Sequence, residues 1–251
     1  LRINWSGRQG SNHLTADDVK PQLDRGIETL KSLGFQVKLA SHAFAKRDYA
    51  AGTPEQRVED LHELLRANEV KMILFSQGGC VANHLLDRID YSLLRENPKI
   101  ISGISDGTTL LNPIYNKTGL ITFHGPDLLW TFGREMSEGM LKNTLDTFCG
   151  EPIGRLNPEE EWKPMAGSRR SYEGWKCIRP GRGSGPLIGG HLASLLNIGF
   201  AGYGPAISAS PLTTKLYFDW IKRFTIIASA EPMPVFSTIP TTSFHFSSFS
   251  R

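Results

Sequence analysis

Between residues 17 and 33 apolar side chains recur at three- and four-residue spacing, at Val19, Leu23, Ile27, Leu30 and Leu33. That is the period of an amphipathic helix. Pro21 is placed in its first turn, where a missing N–H costs little, and Gly34 provides a stop. Phe35 to Leu39 alternates apolar and polar residues and predicts a strand. A second helix is expected from Thr53 as N-cap and Pro54 at the first position, with Val58, Leu61, Leu64 and Leu65 on its buried face. The short apolar run Met72–Phe75 reads as a buried strand, Ile100–Ile101 and Leu120–Phe123 as further strands, and Val81 to Leu86 as helical. Leu1 to Trp5 makes a poor first strand, because polar residues stand where buried apolar ones belong. Strands alternate with helices to about residue 148. The order implies an α/β fold, a doubly wound parallel sheet, followed by a smaller, irregular or incomplete C-terminal domain.

Past residue 150 the pattern weakens. Residues 151–184, rich in Pro, Gly, Arg and Glu, read as a linker with loops. An apolar helix through Leu196 then opens a C-terminal region, 185–251. Its stretch from Pro232 to Ser250 has no charged residue and no clear period.

The candidate chemistry lies in the first 150 residues. Ile100-Ile101 runs into Gly103-Ile104-Ser105-Asp106-Gly107, and an apolar, helix-compatible segment follows. A strand, a sharp turn carrying serine and a helix make a nucleophile elbow. Gly103 and Gly107 are expected to permit a tight turn and close helix–strand packing. Gly78-Gly79 and His124-Gly125-Pro126 also follow predicted strands. All three stretches therefore share the rim where parallel sheets bind ligands.

Bulk properties narrow the function classes. The chain has 251 residues, 39% hydrophobic and 21% charged, as in a globular protein. A net charge of +3 is too dispersed to argue for nucleic acid. No apolar run suffices to span a bilayer. Three cysteines, Cys80, Cys149 and Cys177, lack metal-ligand spacing and favour a reducing compartment, so the expected location is cytoplasmic, with no metal and no cofactor. Other residues carry two readings each. His124 touches substrate or belongs to a structural turn. His191 is a substitute base or a buried, satisfied helix-start residue. Cys80 is a small buried thiol rather than a nucleophile. The Asp106 side chain most simply caps the helix that follows. Trp162 and Trp175 stack a ligand or pack a loop. Lys176, Arg179 and Arg182 bind a carboxylate or are solvated.

Further motifs stand in a definite order: Arg57-Val58-Glu59-Asp60-Leu61, Gly78-Gly79, Asn97-Pro98-Lys99-Ile100-Ile101 into Gly103-Ile104-Ser105-Asp106, Thr122-Phe123-His124-Gly125-Pro126, and Gly185-Pro186-Leu187-Ile188-Gly189-Gly190-His191-Leu192. Together they resemble the LD-carboxypeptidase family over roughly residues 20–198. The resemblance implies a serine hydrolase with a Ser–His–Glu triad. It would cut an amide next to a free carboxylate, in murein tetrapeptides or peptidyl-nucleotides. Ser105 takes the nucleophile position, and the backbone amides of Gly79 and Asp106 the oxyanion hole. Three positions depart from the family: Ile104 replaces a tyrosine, Gly107 a branched apolar residue and His191 an asparagine. Asp219, after Leu216-Tyr217-Phe218, echoes the position of the triad glutamate. His245 does not match the histidine's context, so the general base is unidentified. Loss of match near residue 199 is what a truncated or frame-altered relative would give. Without a base the serine is a poor nucleophile, which leaves a non-catalytic ligand-binding relative as the alternative. An ordinary esterase of the α/β-hydrolase type fits the motif order less well. A homodimer is left open.

Overall fold

The computed structural model describes residues 2–4, 16–47, 50–150, 161–162, 170–171 and 188–204. Strands β1 (Arg2–Asn4), β2 (Lys38–Leu39), β3 (Met72–Phe75), β4 (Ile100–Gly103) and β5 (Phe123–His124) form one sheet in the order β2-β1-β3-β4-β5. Every pairing is parallel. The order reverses direction between β1 and β3, so a crevice at the carboxyl ends opens there. Parallel strands need both faces covered, and β3 shows how. Ile73 and Phe75 enter one apolar cluster, and Met72 and Leu74 the other.

Helix α1 (Ala16–Ser32) and helix α5 (Glu138–Cys149) cover the Met72–Leu74 face. The opposite face is covered by α2 (Pro54–Arg66), α3 (Tyr91–Glu96), α4 (Thr108–Thr118) and α6 (Leu192–Phe200). The fold is thus α/β with a parallel sheet wound on both sides. Helix α2 starts where local chemistry dictates. Thr53 accepts a hydrogen bond from the Gln56 N–H, and the Gln56 side chain returns one to the Thr53 N–H. Such a reciprocal cap stabilises a helix start by about 1 kcal/mol. Helix α4 ends at Gly119 in the left-handed region, φ 75°.

Several expectations shift. The poor first strand, β1, lies inside the sheet between β2 and β3, so pairing on both edges outweighs its polar residues. The strand expected over Phe35–Leu39 shrinks to Lys38–Leu39 at the sheet edge. Helix α1 begins at Ala16, so Pro21 falls inside it and forgoes one helix hydrogen bond. The helix expected at Val81–Leu86 is a single 3₁₀ turn, Ala82–Leu85. Within 151–184, Glu161–Trp162 (β6) pairs antiparallel with Arg170–Ser171 (β7). Helix α6 runs on to Phe200 and buries Leu195 and Ile198 in the cluster that also holds Ile114 of α4.

Candidate active site

Strand β4 delivers the chain to the elbow. Ile104 is extended, at φ −129° and ψ 164°. Ser105 then turns to φ 56°, the one non-glycine residue with positive φ among the described residues. An L-residue there costs about 1–2 kcal/mol, and such strain collects at functional turns. Gly103 and Gly107 are not the residues that adopt the unusual conformation. Gly107 has an ordinary φ of −53°. Their missing side chains make room for Phe75 instead: a Cβ on Gly103 would lie 2.3 Å from Phe75 Cδ2, and one on Gly107 3.0 Å from it. Of the two roles expected for these glycines, close packing holds and the turn belongs to the serine.

The Gly78-Gly79 turn lies against the elbow. A Cβ on Gly78 would sit 2.7 Å from Ser105 Cβ and 3.1 Å from its Oγ. Glycine is required there by contact with the serine. Asp106 connects the same two turns. Its buried Oδ2 accepts hydrogen bonds from the Val81 N–H at 2.8 Å and the Ala82 N–H at 2.9 Å. Its Oδ1 accepts from the Thr109 hydroxyl at 3.2 Å. The expectation that Asp106 caps the following helix is therefore corrected: its carboxylate bonds backbone on another strand's turn, and the Thr108 N–H that opens α4 is taken by the Ser105 and Asp106 carbonyls.

The His124-Gly125-Pro126 turn is pinned to β4. Gly125 N–H donates to the Gly103 carbonyl at 3.0 Å, and Ser102 Oγ donates to the Pro126 carbonyl at 2.7 Å. Burial, helped by the His191 imidazole nearby, pushes His124 down to about 4. Its Nε2 is enclosed and without a hydrogen-bond partner.

The Gly189-Gly190-His191 segment fastens onto the start of α4. His191 N–H donates to Thr108 Oγ1 at 2.9 Å, and Asn112 Nδ2 donates to the Gly189 carbonyl at 3.0 Å. Gly190 has φ 141°, and a Cβ on it would meet Thr108 at 2.5 Å. His191 is exposed rather than buried, because it precedes the first turn of α6. Its Nδ1 lies 3.1 Å from Ser194 Oγ. Cys80 is exposed too, although Gly78, Gly79, Val81 and Ala82 on either side of it are buried.

The structure thus brings Gly78, Ser105 and Asp106 together, with His124 paired to Gly103 on the next strand. Among the described residues the Ser105 hydroxyl makes no hydrogen bond to an imidazole, and no group of three or more His, Cys, Asp or Glu could hold a metal ion. Asp219, His245, Trp175, Lys176, Arg179 and Arg182, and the side chain of Trp162, lie outside the described residues.

One buried acid escaped the sequence. Asp127 Oδ1 accepts from the Trp130 and Thr131 N–H groups, at 2.8 and 3.0 Å, and so caps a π-helical turn, Leu128–Phe132. Its Oδ2 is buried without a partner, and burial raises its pKa to about 7. An acid three residues before a backbone N–H is a helix-start signal that was available, but its burial was not.

A strained serine between a parallel strand and a helix, braced by a Gly-Gly turn on the neighbouring strand, defines an α/β domain with a strand–serine turn–helix elbow at the rim of its sheet. The profile of the LD-carboxypeptidase N-terminal domain matches residues 10–125. That stretch of the chain is an LD-carboxypeptidase N-terminal domain. It is 35% identical over 174 residues to a Bacillus subtilis protein named probable murein peptide carboxypeptidase, covering 69% of this chain and 51% of that one. It is 42% identical over 116 residues to the microcin C7 self-immunity protein MccF of Escherichia coli, covering 46% and 33%. The solved structure of an MccF-like protein from Bacillus anthracis superposes with a TM-score of 0.68 at 32% identity, over 82% of this chain and 64% of that one. The chain spans between 51% and 60% of the length of four curated relatives that it matches over more than two thirds of its own length. Among the described residues no helix is long and apolar enough to cross a membrane.

Proposed function

We propose that this chain carries the nucleophile domain of a serine carboxypeptidase that cleaves an amide next to a free carboxylate, with Ser105 as the acylated residue. The supporting observation is the positive φ of Ser105 at the carboxyl end of β4. That conformation presents the hydroxyl from a turn rather than along a helix. The amides of Gly79 and Asp106 are the donors for the tetrahedral oxyanion. One such donor is worth about 3 kcal/mol. A carboxylate-bearing peptide of murein, or a peptidyl-nucleotide, is the substrate class that the names of the relatives support. Three cysteines without metal-ligand spacing suit a reducing compartment, and the reading places the reaction in the cytoplasm.

The triad base and its acid are unassigned in this proposal; Asp219 remains the candidate acid. Because no described imidazole bonds the Ser105 hydroxyl, a ligand-binding relative is the second reading. Release of D-alanine from a murein tetrapeptide, compared between the chain and Ser105→Ala, decides. Release that disappears in Ser105→Ala supports the hydrolase. Equal rates in both, with tetrapeptide binding retained, refute it in favour of the binder.

A further inference from the structure

The two turns that flank Ser105 come from different strands, and one side chain joins them. Asp106 is 8% exposed and spends one carboxylate oxygen on two consecutive backbone N–H groups, Val81 and Ala82. Those residues directly follow Gly78-Gly79-Cys80. At the other end of that segment Gly78 is in contact with Ser105, so closely that no Cβ would fit. The segment is therefore held at both ends against the elbow, by contact at Gly78 and by a charge-assisted clamp at Val81–Ala82. Gly79 lies between the two fixed points. The second carboxylate oxygen takes the Thr109 hydroxyl, which fixes the rotation of the Asp106 side chain.

We propose that the Asp106 carboxylate is a positioning residue that sets the Gly79 turn relative to Ser105, acting through the Val81 and Ala82 amides. The proposal rests on the hydrolase reading for its catalytic consequence, but not for the clamp itself. What sets the geometry is an oxygen in the right place; the charge strengthens the two bonds without determining where the turn lies. Asp106→Asn retains that oxygen and turns its amide toward Thr109, whose hydroxyl then accepts. Asp106→Glu keeps the charge and moves the oxygen by one methylene. Asp106→Ala removes both.

Two measurements on the whole chain test this. The first is backbone amide NMR, which needs no turnover. In Asp106→Ala and Asp106→Glu the Val81 and Ala82 amides exchange about tenfold faster or more and the Gly79 amide resonance shifts, while Asp106→Asn stays near the unsubstituted chain. Acceleration at Val81 and Ala82 with the Gly79 resonance unmoved overturns the proposal. So does an Asn variant as fast as the Glu variant. The second is D-alanine release from a murein tetrapeptide. Asp106→Ala and Asp106→Glu lower kcat by about thirtyfold with KM within about threefold, and Asp106→Asn recovers most of that loss. An unchanged kcat in Asp106→Glu overturns the catalytic part. Should Asp106→Ala fail to fold, the Asn and Glu pair carries both tests. A chain with no Ser105-dependent release sinks the hydrolase reading, and the exchange measurement still decides the clamp.

Discussion

Replacing Gly103 with alanine tests whether the first glycine of the elbow exists for Phe75. The added methyl would lie 2.3 Å from Phe75 Cδ2, 2.9 Å from Cγ and 3.1 Å from Cβ. Carbon atoms in contact prefer about 3.5–4.0 Å. Because the crowded atoms include Cβ, rotating the ring cannot clear all three, and the backbone of β3 or β4 must move. Phe75 is only 4% exposed, in a cluster with Ile73 and Leu110, so it has no free volume to enter. Overpacking of this kind costs about 1–3 kcal/mol, and a contact well inside van der Waals distance belongs in the upper half. With a urea m-value of about 2 kcal/mol/M, the midpoint falls by about 1 M at unchanged m. Equilibrium urea unfolding followed by far-ultraviolet circular dichroism reads the shift. Phe75→Leu in the Gly103→Ala background should recover part of the loss, giving a coupling of about 1 kcal/mol between the two positions. A Gly103→Ala midpoint within a quarter-molar step (~0.25 M, about 0.5 kcal/mol) of the unsubstituted chain would refute the packing argument. Strict additivity of the two substitutions would do the same.

The strain at Ser105 gives a second test: Ser105→Gly should be more stable than Ser105→Ala by about 1 kcal/mol in the same urea experiment, because only glycine adopts φ 56° freely. Equal midpoints would remove the strain. Buried Asp127 and half-buried His124 titrate with opposite sign. Asp127, raised to about 7, holds its proton in the fold, so its contribution is full below the unfolded value near 4 and is lost as pH rises through 7. His124, lowered to about 4, stays neutral in the fold, so its contribution is present above the unfolded 6.5 and is lost as pH falls through 4. The two windows overlap, and the slopes largely cancel between pH 4 and pH 6.5. Thermal melts across that range should therefore show Asp127→Asn losing stability on acidification relative to the unsubstituted chain, and His124→Gln gaining it, each by about 3 kcal/mol. Parallel melting curves for all three proteins would refute the assignments.

What the sequence disclosed was mostly what neighbours decide. Thr53, Pro54 and Gln56 lie within one turn, so the start of α2 was legible residue by residue. The elbow was legible because a buried run leads directly into it. The reason for its glycines was not, since Phe75 stands 28 positions earlier in the chain. Asp106 looked like a local helix cap, yet its main partners are 24 and 25 positions away. A short polar first strand was discounted, although pairing on both edges holds it between β2 and β3. Helix α3 is six residues long and shows too little of a period to be found that way. Its better marker is Asp90, whose carboxylate accepts from the Ser92 and Leu93 N–H groups. Of the family features, the strands and the serine turn were readable. The surroundings of His191 were not, because its exposure follows from where α6 docks on α4.

The departures from the family pattern have a common physical character. Ile104 takes the place of a tyrosine at an extended backbone that any residue adopts, φ −129° and ψ 164°. Gly107 replaces a branched residue at φ −53°, which is ordinary helical geometry. Neither substitution changes the path of the chain. Among the described motif positions, Ser105 at φ 56°, Gly125 at φ 154° and Gly190 at φ 141° have uncommon geometry, and all three keep the residue type that the pattern requires. The strain at Ser105, about 1–2 kcal/mol, is opposed by fixtures that use no departed side chain. Gly125 N–H bonds to the Gly103 carbonyl, Gly107 N–H bonds to the Ile104 carbonyl at 2.9 Å, and Asp106 holds two amides of the neighbouring turn. At about 1 kcal/mol for a neutral bond, and up to about 3 for one to a carboxylate, these outweigh the strain. The serine turn is therefore maintained by backbone and by one buried acid, which is why it survives side-chain changes on either side of Ser105.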